Sequence, residues 1–231
     1  MNERHIRTEA LIGQQNMQKL KETTVMVVGL GGVGGYAAEA LLRSGIGEII
    51  VIDHDAVEYS NFNRQILADE DTLGQKKTEV FRRRAAKINP DAVITCHDSF
   101  LTPDNLESLF VRRPDYVVDA IDTLTSKVAL WKYCQENDIR IISCLGTAKK
   151  LDPAKLKITK LEKTENDPMA KALRQIARKN GVSLKVPVVF SSEQPLNKRS
   201  ELLGSAMFVP ASAGILCAQW VFSSIIDKQN N

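Results

Sequence analysis

The chain is predicted to be α/β, with a Rossmann-like, doubly wound and mostly parallel sheet and a C-terminal extension lobe. Three observations point there. Short apolar runs recur between amphipathic stretches: Val25–Gly29, Ile49–Asp53, Val93–Cys96, Tyr116–Ile121 and Arg140–Cys144. A glycine-rich turn, Gly29-Leu-Gly31-Gly32-Val-Gly34, joins the first run to a helical stretch, Tyr36–Ser44. The second run ends on an acid, Asp53, 24 residues after Gly29. Parallel strands covered on both faces read as unbroken apolar runs, and the helices between them supply the crossovers.

Residues 1–24 read as a leading helical arm, with Ile6, Leu11, Ile12, Met17 and Leu20 on its apolar face. Residues 25–147 form the Rossmann-like body. Within it Thr78–Lys87 is a helix that Asn89-Pro90 stops. Thr102 is expected to cap a helix with Pro103 at its first position. Leu124–Asn137 is the helix before the fifth strand. In residues 148–231 the alternation breaks. Leu156–Leu161 and Val186–Ser191 read as strands. Asp167-Pro168 opens an amphipathic helix that runs to about Lys179 and ends at Asn180-Gly181. Ser205–Ile226 is a small-residue turn followed by an apolar helix.

The 231 residues, 43% of them hydrophobic, fit one α/β domain with an appended part. The apolar runs are far short of a membrane span, and Met-Asn-Glu-Arg-His at the start has no apolar core. Four unclustered cysteines, Cys96, Cys134, Cys144 and Cys217, fit a reducing compartment. A cytoplasmic protein with no membrane partner is expected. The net charge of +3 hides an asymmetry: residues 149–199 carry 13 Lys and Arg against five Asp and Glu, while the remainder carries 18 against 23. Such a segment is either a surface for a polyanion or a solvated helix face, and charge alone leaves both open.

The glycine turn, with Gly29, Gly31, Gly32 and Gly34, lets backbone N–H groups approach phosphates at a helix N-terminus. Asp53 is placed for ribose hydroxyls. The turn itself fits NAD and ATP equally. The following cassette, Ser60-Asn-Phe-Asn-Arg-Gln65, separates them. A dehydrogenase needs no such cluster, whereas attack on the α-phosphate of ATP builds charge there and on the departing pyrophosphate. Asn61, Arg64 and Lys77 supply donors for that charge, and Asp122, after the fourth run, suits Mg²⁺. Arg4 and Arg7 precede the first strand and are placed to reach a site across a dimer interface.

These pieces, in this order, resemble the E1-like activating enzymes of the ThiF/MoeB/HesA superfamily. The residues that carry the resemblance are Arg4-x-x-Arg7, Gly29–Gly34, Asp53-His-Asp55, Ser60–Gln65, Gly74-Gln-Lys-Lys77 and Val118-Asp-Ala-Ile-Asp122. The resemblance implies that a substrate carboxylate attacks the α-phosphate of ATP, giving an acyl-adenylate. It implies ATP and Mg²⁺ as cofactors. Asp53 would bind the ribose; Asn61, Arg64 and Lys77 would hold the phosphates, with Asp55 and Gln65 in the same nucleotide-binding set; and Asp122 would hold the metal. Arg7 would enter from the partner subunit of a homodimer. Arg7, Arg64, Lys77 and Asp122 would then form the catalytic set.

The tail extends the likeness. Gly146–Pro153, Lys163–Arg174 and Val188–Pro195 are similar to the tRNA-modifying branch, which cyclises threonylcarbamoyladenosine with loss of water. Gly146-Thr-Ala departs from it, since a more glycine-rich loop is expected there. The implied partner is tRNA, recognised at its anticodon loop, with Lys149, Lys150 and the 168–179 helix on RNA phosphates. A cysteine desulfurase or sulfur-relay protein is a further implied partner. The alternative is adenylation of the C-terminal Gly of a ubiquitin-like sulfur carrier, and the absence of any C-x-x-C counts against a zinc-bearing member of that type. A non-catalytic nucleotide-binding scaffold leaves Arg7, Asn61, Arg64, Lys77 and Asp122 unexplained. Elsewhere, His5, His54 and Arg82–Arg84 are expected at the surface. Cys134, Cys144, Cys217, Trp131 and Trp220 are expected in apolar packing, and Asp119 in a structural role.

Overall fold

The computed structural model describes residues 3–196 and 203–226. Seven strands form one sheet: β1 (Thr24–Val28), β2 (Glu48–Asp53), β3 (Val93–Asp98), β4 (Tyr116–Asp119), β5 (Arg140–Cys144), β6 (Leu156–Lys160) and β7 (Pro187–Ser191). Their order is β3-β2-β1-β4-β5-β7-β6, and every neighbouring pair is parallel except antiparallel β6–β7. The winding reverses between β1 and β4. In such a sheet the crevice for a ligand lies above the C-terminal strand ends at that reversal.

The helices are α1 (Ile6–Ile12), α2 (Gln14–Glu22), α3 (Gly34–Ser44), α4 (Lys77–Ile88), α5 (Leu106–Leu109), α6 (Leu124–Glu136), α7 (Pro168–Lys179) and α8 (Phe208–Ile226). Because strand side chains alternate between faces, each strand feeds two cores. Val25, Val27, Ile49 and Val51 pack with Leu41, Leu42 and Phe81 of α3 and α4 and with Cys217 and Val221 of α8. Met26, Val28, Ile50 and Ile52 pack on the other face with Trp131 of α6 and Leu173 of α7. Against the expectation that every apolar run is far short of a membrane span, α8 is long and apolar enough to cross one by length and composition, but Val209, Ala213, Cys217, Val221 and Ile225 are buried in the protein.

Four further expectations change. The leading helix breaks at Gly13, whose φ of 80° and ψ of 160° suit glycine alone, so the arm is two short helices. Thr102 does not cap a helix: α5 is four residues long and starts at Leu106 after Asn105, whose side-chain oxygen instead accepts the Thr102 N–H. His5 is only 5% exposed, lodged beside Gly45 at the C-terminus of α3. Arg84 pairs with the buried Glu39, so only Arg82 and Arg83 lie on an exposed face.

Candidate active site

A cavity of about 420 Å³ opens over the C-terminal ends of β1, β2, β4 and β5. Its floor is the glycine turn. Gly29 has φ of +90°, and a Cβ there would stand 2.9 Å from the Ala120 carbonyl oxygen. Gly31 and Gly32 line the cavity. Gly34 does not; a Cβ on it would fall 1.7 Å from the Gly29 carbonyl oxygen, so this glycine lets α3 seat against β1. Among the described residues no side chain caps α3, although the Gly31 carbonyl accepts the Gly35 N–H at 3.1 Å, and an uncapped helix N-terminus attracts an anion.

Asp53 braces this turn. Its Oδ2 accepts the Leu30 N–H at 2.6 Å and its Oδ1 the Asp55 N–H at 2.8 Å. Each carboxylate oxygen keeps a second lone pair for a ribose hydroxyl. Beyond β2 the chain makes a short turn, Tyr59–Asn61, in which Asn61 Oδ1 accepts the Glu58 N–H at 3.1 Å. The Arg64 guanidinium, at the cavity wall, donates to the Ser60 carbonyl at 2.6 Å and to Asn63 Oδ1 at 3.0 Å. Gln65 is buried at the same wall, and its Oε1 has no partner among the described residues.

Lys77 begins α4. Its Nζ lies 2.8 Å from Asp55 Oδ2. Burial by itself would raise the Asp55 carboxyl, but the hydrogen bond and charge of Lys77, with His54 and Lys76 behind them, outweigh it and hold it below the usual carboxylate range. Asp122 follows β4 with an exposed carboxylate in the cavity that accepts no hydrogen bond among the described residues. A hard oxygen donor beside a phosphate-binding turn fits Mg²⁺. Asp53, His54 and Asp55 also bring three donor atoms within 4.8 Å of one another, but Asp53 and Asp55 are already committed to the backbone and to Lys77.

One cavity therefore gathers Gly29, Gly31, Gly32, Asp53, Asp55, Asn61, Arg64, Gln65, Lys77 and Asp122. Arg7 is not among them. It is exposed on α1, and His5 roots that arm beside Gly45, at the end of the sheet opposite the cavity. Motif reading missed Phe100, which follows β3, and Met169, Leu203 and Pro210. Phe100 was accessible to the rule that ligands sit past strand ends; the other three come from segments that only the folded chain brings over the cavity. Asn63 Nδ2 fastens one of them by donating to the Ser205 carbonyl at 2.8 Å.

Lys150 corrects the expectation for RNA. It is 4% exposed, 3.4 Å from Asp167, and donates to the Ser191 carbonyl. Arg174 on α7 is spent on the Leu161 and Thr164 carbonyls. Lys171, Arg178 and Lys179 of α7 are exposed, as are Lys157, Lys160, Lys163 and Lys185 nearby in sequence. Lys198 and Arg199 lie outside the described residues. Cys144 lines the cavity but is buried, and the thiol of neighbouring Cys217 is pushed well up by its hydrogen bond to Cys144 and by burial.

Fold and site together define a nucleotide-binding α/β enzyme whose cavity is lined by arginine and lysine cations and an exposed carboxylate. The ThiF family model matches residues 3–230, and the chain belongs to that family. The tRNA threonylcarbamoyladenosine dehydratase of Bacillus subtilis is 38% identical over 237 residues, spanning 95% of this chain and 93% of that protein. Crystal structures of the E. coli tRNA N6-threonylcarbamoyladenosine dehydratase with ATP and with AMP match with TM-scores of 0.92 and 0.93. Each is 37% identical and covers 97% of this chain and 94% of its own. The adenylyltransferase and sulfurtransferase MOCS3 of Drosophila sechellia is also 38% identical, but over 61% of this chain and 30% of its own length.

Proposed function

We propose that this chain is an ATP-dependent, AMP-forming dehydratase that cyclises N6-threonylcarbamoyladenosine in tRNA. The observation that carries the reading is a single cavity joining the glycine turn, Arg64, Lys77 and Asp122, in a chain similar along nearly its whole length to proteins of that activity. The glycine turn and the N-terminus of α3 take the phosphates, and Asp53 takes the ribose. Asp122 would hold Mg²⁺, which would supply positive charge for the phosphates.

The threonyl carboxylate attacks the α-phosphorus, and pyrophosphate leaves. Lys77 and Arg64 stand ready at the wall on Asp55 and on the Ser60 carbonyl, and each exchanges that partner for phosphate oxygen as charge develops. The carbamoyl group then attacks the acyl carbon, the ring closes and AMP departs with the lost oxygen. Closure is intramolecular, so holding the two ends together supplies much of the acceleration and no enzyme nucleophile is needed.

Arg7 acts on the cavity of a partner subunit. Its own cavity lies at the other end of the sheet, and Phe208 and Ile215 on α8 and Leu11 on α1 are exposed apolar side chains that a second copy would cover. The anticodon arm of the tRNA lies on the exposed lysines of β6, α7 and the loop before β7. AMP release by the purified protein, with tRNA carrying threonylcarbamoyladenosine, with unmodified tRNA, or alone, tests the assignment. AMP and a nucleoside lighter by one water, only with modified tRNA, are expected. Adenylate formed on a Gly-Gly-tailed protein, with no tRNA turnover, would move the chain to the sulfur-carrier activators.

A further inference from the structure

Asp119, the last residue of β4, and Lys127 on α6 are both fully buried, with Lys127 Nζ 2.9 Å from Asp119 Oδ1. Trp131 Nε1, at 2.8 Å, and Ser143 Oγ, at 2.6 Å, donate to Asp119 Oδ2. Desolvating such a pair costs so much that well-packed apolar side chains often serve stability as well or better. The remaining bonds show what the pair does beyond filling space. Asp119 Oδ1 also accepts the Ile121 N–H at 3.3 Å, and Lys127 Nζ donates to the Ile121 carbonyl at 2.9 Å. Both backbone polar groups of one residue are clasped, and that residue directly precedes Asp122. The turn is held from its other side too, because the Ala120 carbonyl abuts Gly29 and the Ala120 N–H donates to the Val28 carbonyl. Ala120, Ile121 and Asp122 all line the cavity, whereas Asp119 and Lys127 lie behind it.

We propose that Asp119 and Lys127 are positioning residues: they clasp Ile121 so that the Asp122 carboxylate stands in one place for the metal of the bound nucleotide. This rests on the metal role given to Asp122 above. The pair fixes the turn by charge-assisted bonds inside the core, where water does not compete. Partners that orient a metal ligand from behind typically change metal affinity 10–100-fold when they are removed.

The test uses the full chain as Lys127→Met, Asp119→Leu/Lys127→Met and Asp122→Asn. Two readouts are taken without tRNA: the melting temperature, and the Mg²⁺ concentration that half-completes the thermal shift produced by ATP. Lys127→Met alone melts lower, because Asp119 is left charged and unpaired. The double variant recovers the melting temperature, since no buried charge remains, yet its Mg²⁺ midpoint stays raised about tenfold. If the midpoint returned to the wild-type value along with stability, the pair would be structural only and the proposal overturned. A midpoint unmoved in Asp122→Asn would overturn the metal role itself, and the positioning with it. Should the double variant not fold, Ser143→Ala removes one bond to Asp119 and leaves the charges paired. A midpoint raised a few-fold in that variant supports the proposal, and an unchanged one rejects it.

Discussion

Two buried lysines show how the two halves of the molecule differ. Lys77, beside the glycine turn, and Lys150, in the C-terminal part, are each 4% exposed and each paired with an aspartate. Asp55, the partner of Lys77, has a side chain half in water. Asp167, the partner of Lys150, is 6% exposed and also caps α7 by accepting the Ala170 N–H at 3.0 Å. A lysine whose partner is hydrated can be handed to a phosphate at small cost. One whose partner is sealed in cannot leave without stranding a charge. On the proposed function Lys77 is thus placed to act and Lys150 to hold, a difference set by the partner's exposure rather than by the lysine's own.

The comparison breaks first at the glycines. Gly34→Ala pushes a methyl group into the Gly29 carbonyl and is expected to cost about 3 kcal/mol or more, read by denaturant melting with ATP binding lost alongside. Gly204→Ala, in the other half, places its Cβ with nothing within 4 Å and is expected to leave stability within about 0.5 kcal/mol of wild type.

The lysines sharpen it. Lys150→Met strands Asp167 and is expected to cost about 3–5 kcal/mol of stability, with activity per folded molecule less affected. Lys77→Met leaves a carboxylate that water can solvate. It is expected to keep a near-native melting temperature while single-turnover AMP formation falls about 10²–10³-fold. The opposite pattern in either variant would reverse the roles assigned here.

Arg7→Ala is expected to inactivate without unfolding. Mixed one to one with Lys77→Met, it should regain about a quarter of wild-type activity, because half the dimers then carry one complete site. No recovery on mixing would mean that Arg7 does not act across the interface.

Smaller effects come from pH and salt. The carboxyl of Asp55 is depressed, so its stabilising contribution is complete above the ordinary carboxylate range and is lost as pH falls through its lowered value. His5 is lowered from 6.5, chiefly by burial with help from Lys21 and Arg4. The unfolded chain takes up its proton first, so stability is full above 6.5 and declines as pH falls below it. His5→Gln should flatten that upper limb of the stability curve and Asp55→Asn the lower one. Lys157→Ala and Lys163→Ala should weaken tRNA binding about equally for all sequences, each lowering the salt slope by up to about one.

Legibility followed the kind of signal. Gly29, Asp53 and Asp122 were readable because a phosphate-binding turn, an acidic strand end and a carboxylate after the reversal strand are local demands of backbone geometry. Gly34 was readable as part of the motif, but its task is packing, which only the 1.7 Å contact discloses. Lys150 misled because a charge count cannot see burial: it lies between an N-cap acid and a strand carbonyl that sit far from it in sequence. Gly13 was passed over because apolar spacing continues across it, while its backbone does not.

The sequence by itself determined the strand–helix alternation, the phosphate turn and the types of side chain offered to a nucleotide, since these are encoded within a few residues of one another. Tertiary structure decided which lysines keep a hydrated partner and which a sealed one, where Arg7 lies relative to its own cavity, and how the Ile121 turn is clasped. Those outcomes depend on burial and on partners many residues apart, and the cost of desolvating a charge is settled only once the chain has closed around it.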